Sequence, residues 1–226
     1  MGDLLRYLSA HRAQVLGLLG EHVVLVAIAV AAAVAIGVPL GILATRDRRV
    51  ERAALGTANV LQTVPSLALF GFLIPVPLLG GIGASTAIVA LTLYALLPIV
   101  RNTHAGIRGV DPALAEAGRG MGMTDRQLLA KVELPLAAGV IVAGVRVATV
   151  ISVGIATIAA AIGAGGLGVY IFQGLAMVDD TVILAGAVPA ALLALAADGV
   201  LGWLARRLTP LGAPGAPGTP ISSRTQ

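Results

Sequence analysis

The charged side chains of this sequence gather in a few short segments, and the longest of these is residues 101–135. Asp111-Pro112 has the form of a helix N-cap followed by a proline in the first turn. Thr124 can cap a second helix after Gly122, and Pro135 is expected to end it. Two short helices with balanced charge present a surface that suits docking to a soluble partner, since long loops in compact domains are usually functional. An ordinary solvated loop is the alternative. The charged members of this segment are Arg101, Arg108, Asp111, Glu116, Arg119, Asp125, Arg126, Lys131 and Glu133.

No group of residues in the sequence indicates catalysis. His11, His22 and His104 are scattered without the spacing of metal ligands. There is no cysteine, which excludes disulfides and thiolate metal sites, and there is no phosphate-binding loop of the Walker type. We therefore expect no catalytic residue, no metal site and no cofactor in this chain. ATP and Mg²⁺, where they are used, are expected on a partner chain.

An arginine stands inside an apolar stretch. Arg146 lies about three turns beyond Pro135, and an intramembrane arginine is by default paired or functional. Asp198 is the candidate partner. Snorkelling of Arg146 to the cytosolic interface is the alternative.

Other polar and aromatic residues are candidates for contact with a solute. Gln62 and Thr63 either line a path through the membrane or form hydrogen bonds between helices. Tyr94 and Phe70 are candidates for cation–π contact with a cation in transit.

The composition predicts an all-α membrane protein. Apolar residues make up 58% of the chain and charged residues 12%, and the mean hydropathy is +0.96. A soluble domain has about 25% charged residues, and the 29 glycines suit close packing of helices in lipid. The net charge of +4 does not indicate nucleic acid as a partner, because the basic residues lie in short gaps between apolar runs, where they set topology.

Apolar stretches of about 20 residues are long enough to cross a bilayer, and they predict about five membrane-spanning helices. Residues 1–18 predict an amphipathic segment at the interface. The first apolar run is too long for the core of a cleaved signal peptide, so we interpret it as a retained span. The Pro- and Gly-rich residues 209–226 predict a disordered cytoplasmic tail. The predicted spans are residues 22–45, 56–75, 81–101, 137–162 and 181–204.

The basic residues predict the topology. With five spans, 12 of the 15 Lys and Arg residues lie on one side, which the positive-inside rule makes cytoplasmic, with the N-terminus outside and the C-terminus inside. A sixth span at residues 163–178 would move Arg206 and Arg207 outside. We therefore interpret this segment as a short helix or re-entrant turn on the outer side. Its glycines Gly163, Gly165 and Gly166 shape an outer gate or only interrupt a helix.

The helix pair at residues 111–134 resembles the coupling motif of ABC importer permeases. The family's pattern is Glu-Ala-Ala, three residues, Gly, nine residues and Ile-x-Leu-Pro. Here Glu116-Ala117-Gly118, Gly122 and Val132-Glu133-Leu134-Pro135 keep that spacing, with Gly118 for the second Ala and Val132 for Ile. Segments 59–75, 93–123 and 156–168 further resemble permeases of the glycine betaine/carnitine/choline group. The resemblance extends over residues 1–208.

The resemblance implies the fold of an ABC type I importer transmembrane domain over residues 19–208, with cytoplasmic coupling helices. It implies a quaternary-ammonium osmolyte as substrate, an extracytoplasmic substrate-binding protein, and ATPase subunits that hydrolyse ATP. Gly122 is expected to allow a tight turn that a larger side chain would obstruct. Five spans are too few to enclose a path, so a second permease copy or a paralogue is expected. By resemblance, the ATPase-coupling residues are Glu116, Ala117, Gly118, Gly122, Leu134 and Pro135.

Other functions stay open at the level of the sequence. An ABC permease for another small solute, such as an amino acid, would have the same architecture. A secondary transporter predicts an inverted repeat, of which there is no convincing sign. An intramembrane enzyme would need paired acids, a Ser–His pair or metal ligands within the spans, and we find none.

Overall fold

The computed structural model describes residues 2–77 and 80–208, and within these ranges the chain forms ten α-helices. The predicted all-α class is confirmed. The predicted disordered tail, residues 209–226, lies outside the described residues. The helices are α1 (Gly2–Ala10), α2 (Arg12–Arg46), α3 (Arg48–Thr63), α4 (Ser66–Leu73), α5 (Ala84–Arg108), α6 (Pro112–Gly120), α7 (Asp125–Leu128), α8 (Leu134–Ala159), α9 (Gly168–Met177) and α10 (Asp180–Leu208).

Within the described residues, four helices are long and apolar enough to cross a membrane. They are α2, α5, α10 and the continuous helix that contains α8. A fifth crossing is present when α3 and α4 are taken as one span. The predicted span at 56–75 is not a straight helix, however, because α3 and α4 meet at an angle of 105°. The bend lies at Pro65, which holds Val64 in an extended conformation with ψ of 126°.

Helices α2 and α5 pack side by side in the same direction through two glycines of α2. A Cβ atom at Gly41 would lie 2.5 Å from Cβ of Thr103, and one at Gly37 would lie 2.9 Å from Cγ2 of Ile99. Small residues at such contacts let helix backbones approach closely. The two contacts advance together along both helices, so α2 and α5 end at the same end of the bundle.

Helix α8 runs antiparallel to α5. Gly106 packs against Ala137, and Gly144 packs against Asn102, so the contact moves along α5 in the reverse order. The start of α8 therefore meets the ends of α2 and α5. We call this the basic end of the bundle, because it holds Arg46, Arg48, Arg49, Arg52 and Arg108. The other is called the opposite end.

The N-terminal part differs from the sequence-based boundary at residue 18. Helix α2 begins at Arg12 and continues without a break to Arg46. Helix α1 packs on the bundle rather than lying free of it, since Leu4 is buried and the ring of Tyr7 meets that of Tyr170 edge-on at 6.0 Å.

The prediction that Pro135 ends a helix is wrong. A π-helical turn, Leu129–Glu133, leads directly into α8, and the N–H of Leu134 donates to the carbonyl of Leu129 five residues back. Pro135 stands in the first turn of α8, directly after the π-helical turn. The helix therefore continues from α7 through the turn into the membrane-spanning α8.

Helix α9 is too short to cross a bilayer. Its ten residues extend about 15 Å at 1.5 Å per residue, half the thickness of a hydrocarbon core. This length agrees with the interpretation of residues 163–178 as a short helix or re-entrant turn.

Candidate functional site

The loop between α5 and α8 has the two capped helices expected from the sequence. The Asp111 side chain accepts a hydrogen bond from the N–H of Ala113 at 2.9 Å, with Pro112 at the helix start. Thr124 caps α7 in a capping box, in which its backbone N–H donates to the Gln127 side chain at 2.9 Å. Both predicted caps are confirmed. They define where each helix begins and how the loop is folded.

Two glycines shape this loop, and the expected reason for one of them is corrected. Gly118 is buried, and a Cβ there would lie 2.8 Å from Cδ1 of Leu128, so glycine lets α6 pack on the fully buried Leu128. A Cβ on Gly122 would meet nothing within 4 Å, but its φ is +80°. Gly122 is therefore required by backbone conformation, not by lack of space.

Helix α6 and its C-cap residue, Met121, expose an apolar face that the sequence reasoning missed. Leu114 is 48% exposed and Met121 is 72% exposed, and Ala117 lies between them and is also exposed. Their spacing of three and four residues puts all three on one face. Glu116 is exposed on another side of the helix. This spacing is visible in the sequence, between the charged residues of the segment.

The base of the loop is joined to α2 by an ion pair that the sequence reasoning also missed. Arg46, at the end of α2, donates to the carboxylate of Glu133, in the π-helical turn. The Glu133 side chain is only 7% exposed and that of Arg46 is 40% exposed. Leu134 and Pro135 follow directly, so this contact is made where the loop enters α8.

Helices α3 and α5 are joined by a row of polar contacts that we call the polar seam. Gln62 Nε2 donates to the carbonyl of Tyr94 at 3.2 Å, and the Arg101 guanidinium donates to Asn59 Oδ1 at 3.0 Å. Towards the basic end, Glu51 lies 3.4 Å from His104 and 4.0 Å from Arg108. The seam comprises Glu51, Asn59, Gln62, the Tyr94 carbonyl, Arg101, His104 and Arg108.

The seam opens at the basic end into a cleft of about 740 Å³. Farther from the basic end, Asn59, Gln62 and Thr63 of α3 are all exposed. Gln62 thus bonds between helices and also borders open space, whereas the Thr63 hydroxyl is used within α3, on the carbonyl of Val60. The cleft is lined by Arg48, Glu51, Arg52, Leu55, Gly56 and Arg108.

The expectation of cation–π contact at Tyr94 and Phe70 is wrong. Tyr94 is 6% exposed and Phe70 is fully buried, and both lie in the main apolar core with Leu91. The Tyr94 hydroxyl donates to the carbonyl of Val64. Neither ring face is available to a solute.

Arg146 and Asp198 form a bidentate pair between α8 and α10, with both contacts at 2.5 Å. Their side chains are 40% and 38% exposed on this chain. Gly202 makes room for the guanidinium, since a Cβ there would lie 3.2 Å from its Cζ. Arg146 stands 12 residues after Leu134, about 18 Å along α8. Arg146 is thus bound to a carboxylate well away from the basic end of the bundle, on a half-exposed surface of this chain.

The glycine-rich turn before α9 is held by α2. Gly163, Gly165 and Gly166 all have positive φ. The N–H of Gly166 donates to the Glu21 carboxylate at 3.0 Å.

A fully buried histidine completes this contact. His22 Nδ1 lies 3.3 Å from the N–H of Leu167, and Nε2 lies 3.1 Å from the carbonyl of Val153. These contacts fit a neutral ring that accepts at Nδ1 and donates at Nε2. From the sequence, His22 was considered only as a possible metal ligand and Glu21 was not considered, because nothing local relates either residue to a turn about 145 residues away.

Known transport proteins have a similar sequence and a similar fold. The chain is 45% identical over 212 residues to a choline transport system permease protein of Bacillus subtilis (strain 168), covering 94% of this chain and 96% of that protein. It is 50% identical over 190 residues to a carnitine transport permease protein of Listeria monocytogenes, covering 84% and 86%. In structure it resembles a chain of the inward-facing MetNI methionine ABC transporter, with a TM-score of 0.76, 27% identity and coverage of 84% and 94%.

These similarities confirm the resemblance seen in the sequence and the fold of an ABC importer transmembrane domain. Proteins of this kind are multi-pass membrane permeases, and ATP hydrolysis and substrate capture belong to partner proteins. The family model for binding-protein-dependent transport system inner membrane components matches residues 37–210. The chain belongs to that family.

Proposed function

We propose that this chain is the permease subunit of an ATP-driven importer for trimethylammonium osmoprotectants such as glycine betaine, carnitine and choline. The observation that carries the proposal is the similarity, at 45–50% identity over most of the chain, to permeases named for choline and carnitine. An amino acid as substrate has weaker support, since the methionine transporter chain is 27% identical.

Coupling to the ATPase is assigned to the loop between α5 and α8. The exposed apolar face of Leu114, Ala117 and Met121 is suited to a hydrophobic groove on the ATPase. Glu116 adds a charge at the rim, Gly118 and Gly122 maintain the fold of the loop, and Leu134-Pro135 connect it to α8. Movement of the docked loop would reach α8 directly, because the helix is continuous through the π-helical turn.

The translocation path is assigned to the polar seam and to the cleft at its basic end. Exposed polar side chains inside a membrane normally face a bundle interior or water-filled cavity rather than lipid. One chain leaves this face open, so a second permease copy or a paralogue completes the path. The half-exposed Arg146–Asp198 pair supports the same assembly, because a partner helix would shield it from lipid.

The basic end is assigned to the cytoplasm, with the N-terminus outside and the C-terminus inside, since the positive-inside rule favours that orientation. The turn containing Gly163, Gly165 and Gly166 is then extracytoplasmic. Held by Glu21 and His22, it is a candidate outer gate where the binding protein delivers substrate.

The test is uptake by the complete importer in cells that lack other osmolyte transport. Labelled glycine betaine, carnitine, choline and methionine are compared, with the importer intact and with its ATPase subunit deleted. We expect ATPase-dependent uptake of at least one trimethylammonium compound and none of methionine. Methionine uptake would favour the amino-acid alternative, and uptake without the ATPase would indicate a secondary transporter.

A further inference from the structure

Arg101 differs from Arg46, Arg108 and Arg146 in having no acidic partner among the described residues. Within residues 2–77 and 80–208, no carboxylate lies within 4.0 Å of its guanidinium. Its hydrogen-bond partner is the neutral amide oxygen of Asn59, at 3.0 Å. Arg46, Arg108 and Arg146, in contrast, each lie against a glutamate or aspartate.

Arg101 lies on α5 before that helix reaches the basic end of the bundle. It precedes the end of α5 by seven residues, about 10 Å along the helix. Thr103, two residues later, packs on Gly41 of α2, and α2 continues for five more residues to Arg46. The guanidinium is nevertheless exposed, on the face of α5 that meets α3.

The face of α5 that carries Arg101 is not suited to contact lipid. A charged side chain in or beside the hydrocarbon region is costly unless it borders protein or water. The exposed amides of Asn59 and Gln62 lie along the same seam, so this face is suited to border a water-filled space. A planar guanidinium in such a space is suited to bind a carboxylate through two parallel hydrogen bonds.

We propose that Arg101 binds the carboxylate of zwitterionic osmolytes as they pass along the polar seam, and so favours them over osmolytes that are purely cationic. The proposal rests on the proposed function. Asn59 positions the guanidinium without neutralising it.

The chemistry of the substrates gives this contact its selectivity. Glycine betaine and carnitine carry a trimethylammonium group and a carboxylate, whereas choline carries the trimethylammonium group and a hydroxyl. A guanidinium attracts the first two through the carboxylate and repels the third. Glu51, the carboxylate of the seam, lies nearer the basic end and already faces His104 and Arg108.

The absence of cysteine from the natural chain makes a direct test possible. R101C is purified with its ATPase and binding protein in proteoliposomes, and initial uptake is measured with binding protein saturated by betaine or by choline. We expect betaine uptake to fall about tenfold or more, as for loss of a hydrogen bond to a charged group, and choline uptake to be unchanged or raised. Treatment with 2-aminoethyl methanethiosulfonate restores a cation and should recover betaine uptake; the 2-sulfonatoethyl reagent should not.

R49C is the matched control, because Arg49 is an exposed arginine of α3 near the same end that makes no contact in the seam. Equal loss of both substrates without recovery by either reagent would make Arg101 a structural residue and overturn the proposal. Unchanged betaine uptake in R101C would also overturn it. If the binding protein accepts only betaine, the test is the comparison of the two reagents: recovery of betaine uptake in R101C by the aminoethyl reagent alone supports the proposal, and its absence overturns it. A wild-type importer that carries neither osmolyte would instead refute the proposed function.

Discussion

Removal of the Arg46–Glu133 ion pair tests whether the loop between α5 and α8 acts on the membrane helices as proposed. In R46A the Glu133 carboxylate, 7% exposed, loses its cationic partner. Breaking a fully buried pair costs about 3–5 kcal/mol, and exposed pairs contribute about 0–1 kcal/mol. Since Arg46 is 40% exposed, we expect R46A to lower the free energy of unfolding by an intermediate amount, about 2 kcal/mol. E133Q should cost less, because no charge is left buried.

The assay separates coupling from stability. Osmolyte uptake per ATP hydrolysed is measured in proteoliposomes, beside the thermal unfolding midpoint of each purified complex. If the pair transmits movement from the loop to α2, R46A should hydrolyse ATP with less uptake per ATP, and the exchange of charges in R46E/E133R should recover part of the ratio. R49A is the control, since Arg49 lies in the same segment and its guanidinium has no carboxylate within 4.0 Å among residues 2–77 and 80–208.

The outcome that refutes this reasoning is a lowered unfolding midpoint with an unchanged ratio of uptake to ATP. The pair would then stabilise the base of the loop without a part in coupling. A wild-type midpoint and ratio in R46A would show that the contact contributes nothing measurable.

Other residues give sharper local tests. Gly122→Ala should reduce stimulation of ATPase activity by the loaded binding protein, with a strain of about 1–2 kcal/mol at φ +80°; Gly122→Asn, which tolerates that conformation better, should reduce it less. Gly41→Leu should lower the thermal midpoint through a loss of about 1–3 kcal/mol from overpacking, whereas Gly17→Ala, where a Cβ meets nothing within 4 Å, should leave it unchanged or raise it. His22→Ala should speed amide exchange in the glycine-rich turn at residues 163–168, because a buried N–H loses its acceptor; exchange there should stay unchanged in the exposed His11→Ala.

The features predicted well from the sequence are those written in neighbouring residues. Asp111 and Thr124 cap helices through residues two or three positions away, and the long helices follow continuous apolar runs. Pairing at a distance was harder. Arg146 and Asp198 could be matched because two charges inside apolar runs need each other.

Arg46 and Glu133, in contrast, looked like ordinary residues of charged segments, and their side chains are 87 positions apart. Tyr94 and Phe70 were misplaced for a related reason. An aromatic residue in a helix that is apolar on every side carries no sign of which side is buried. A proline at position 65 is visible in the sequence, but the angle of the bend there depends on how α4 packs in the core.

Helix α2 links two of these tests, because it is held at both ends. Arg46 contacts the base of the loop between α5 and α8, and His22 contacts the glycine-rich turn. The two residues are 24 positions apart on one helix, about 36 Å at 1.5 Å per residue. Over that distance the effects of R46A and His22→Ala on the free energy of unfolding should add. Uptake per ATP is different: if α2 moves as one body, either variant interrupts the same step, and the double variant should be little worse than the more impaired single one. Additive losses of uptake would mean that the two ends act separately.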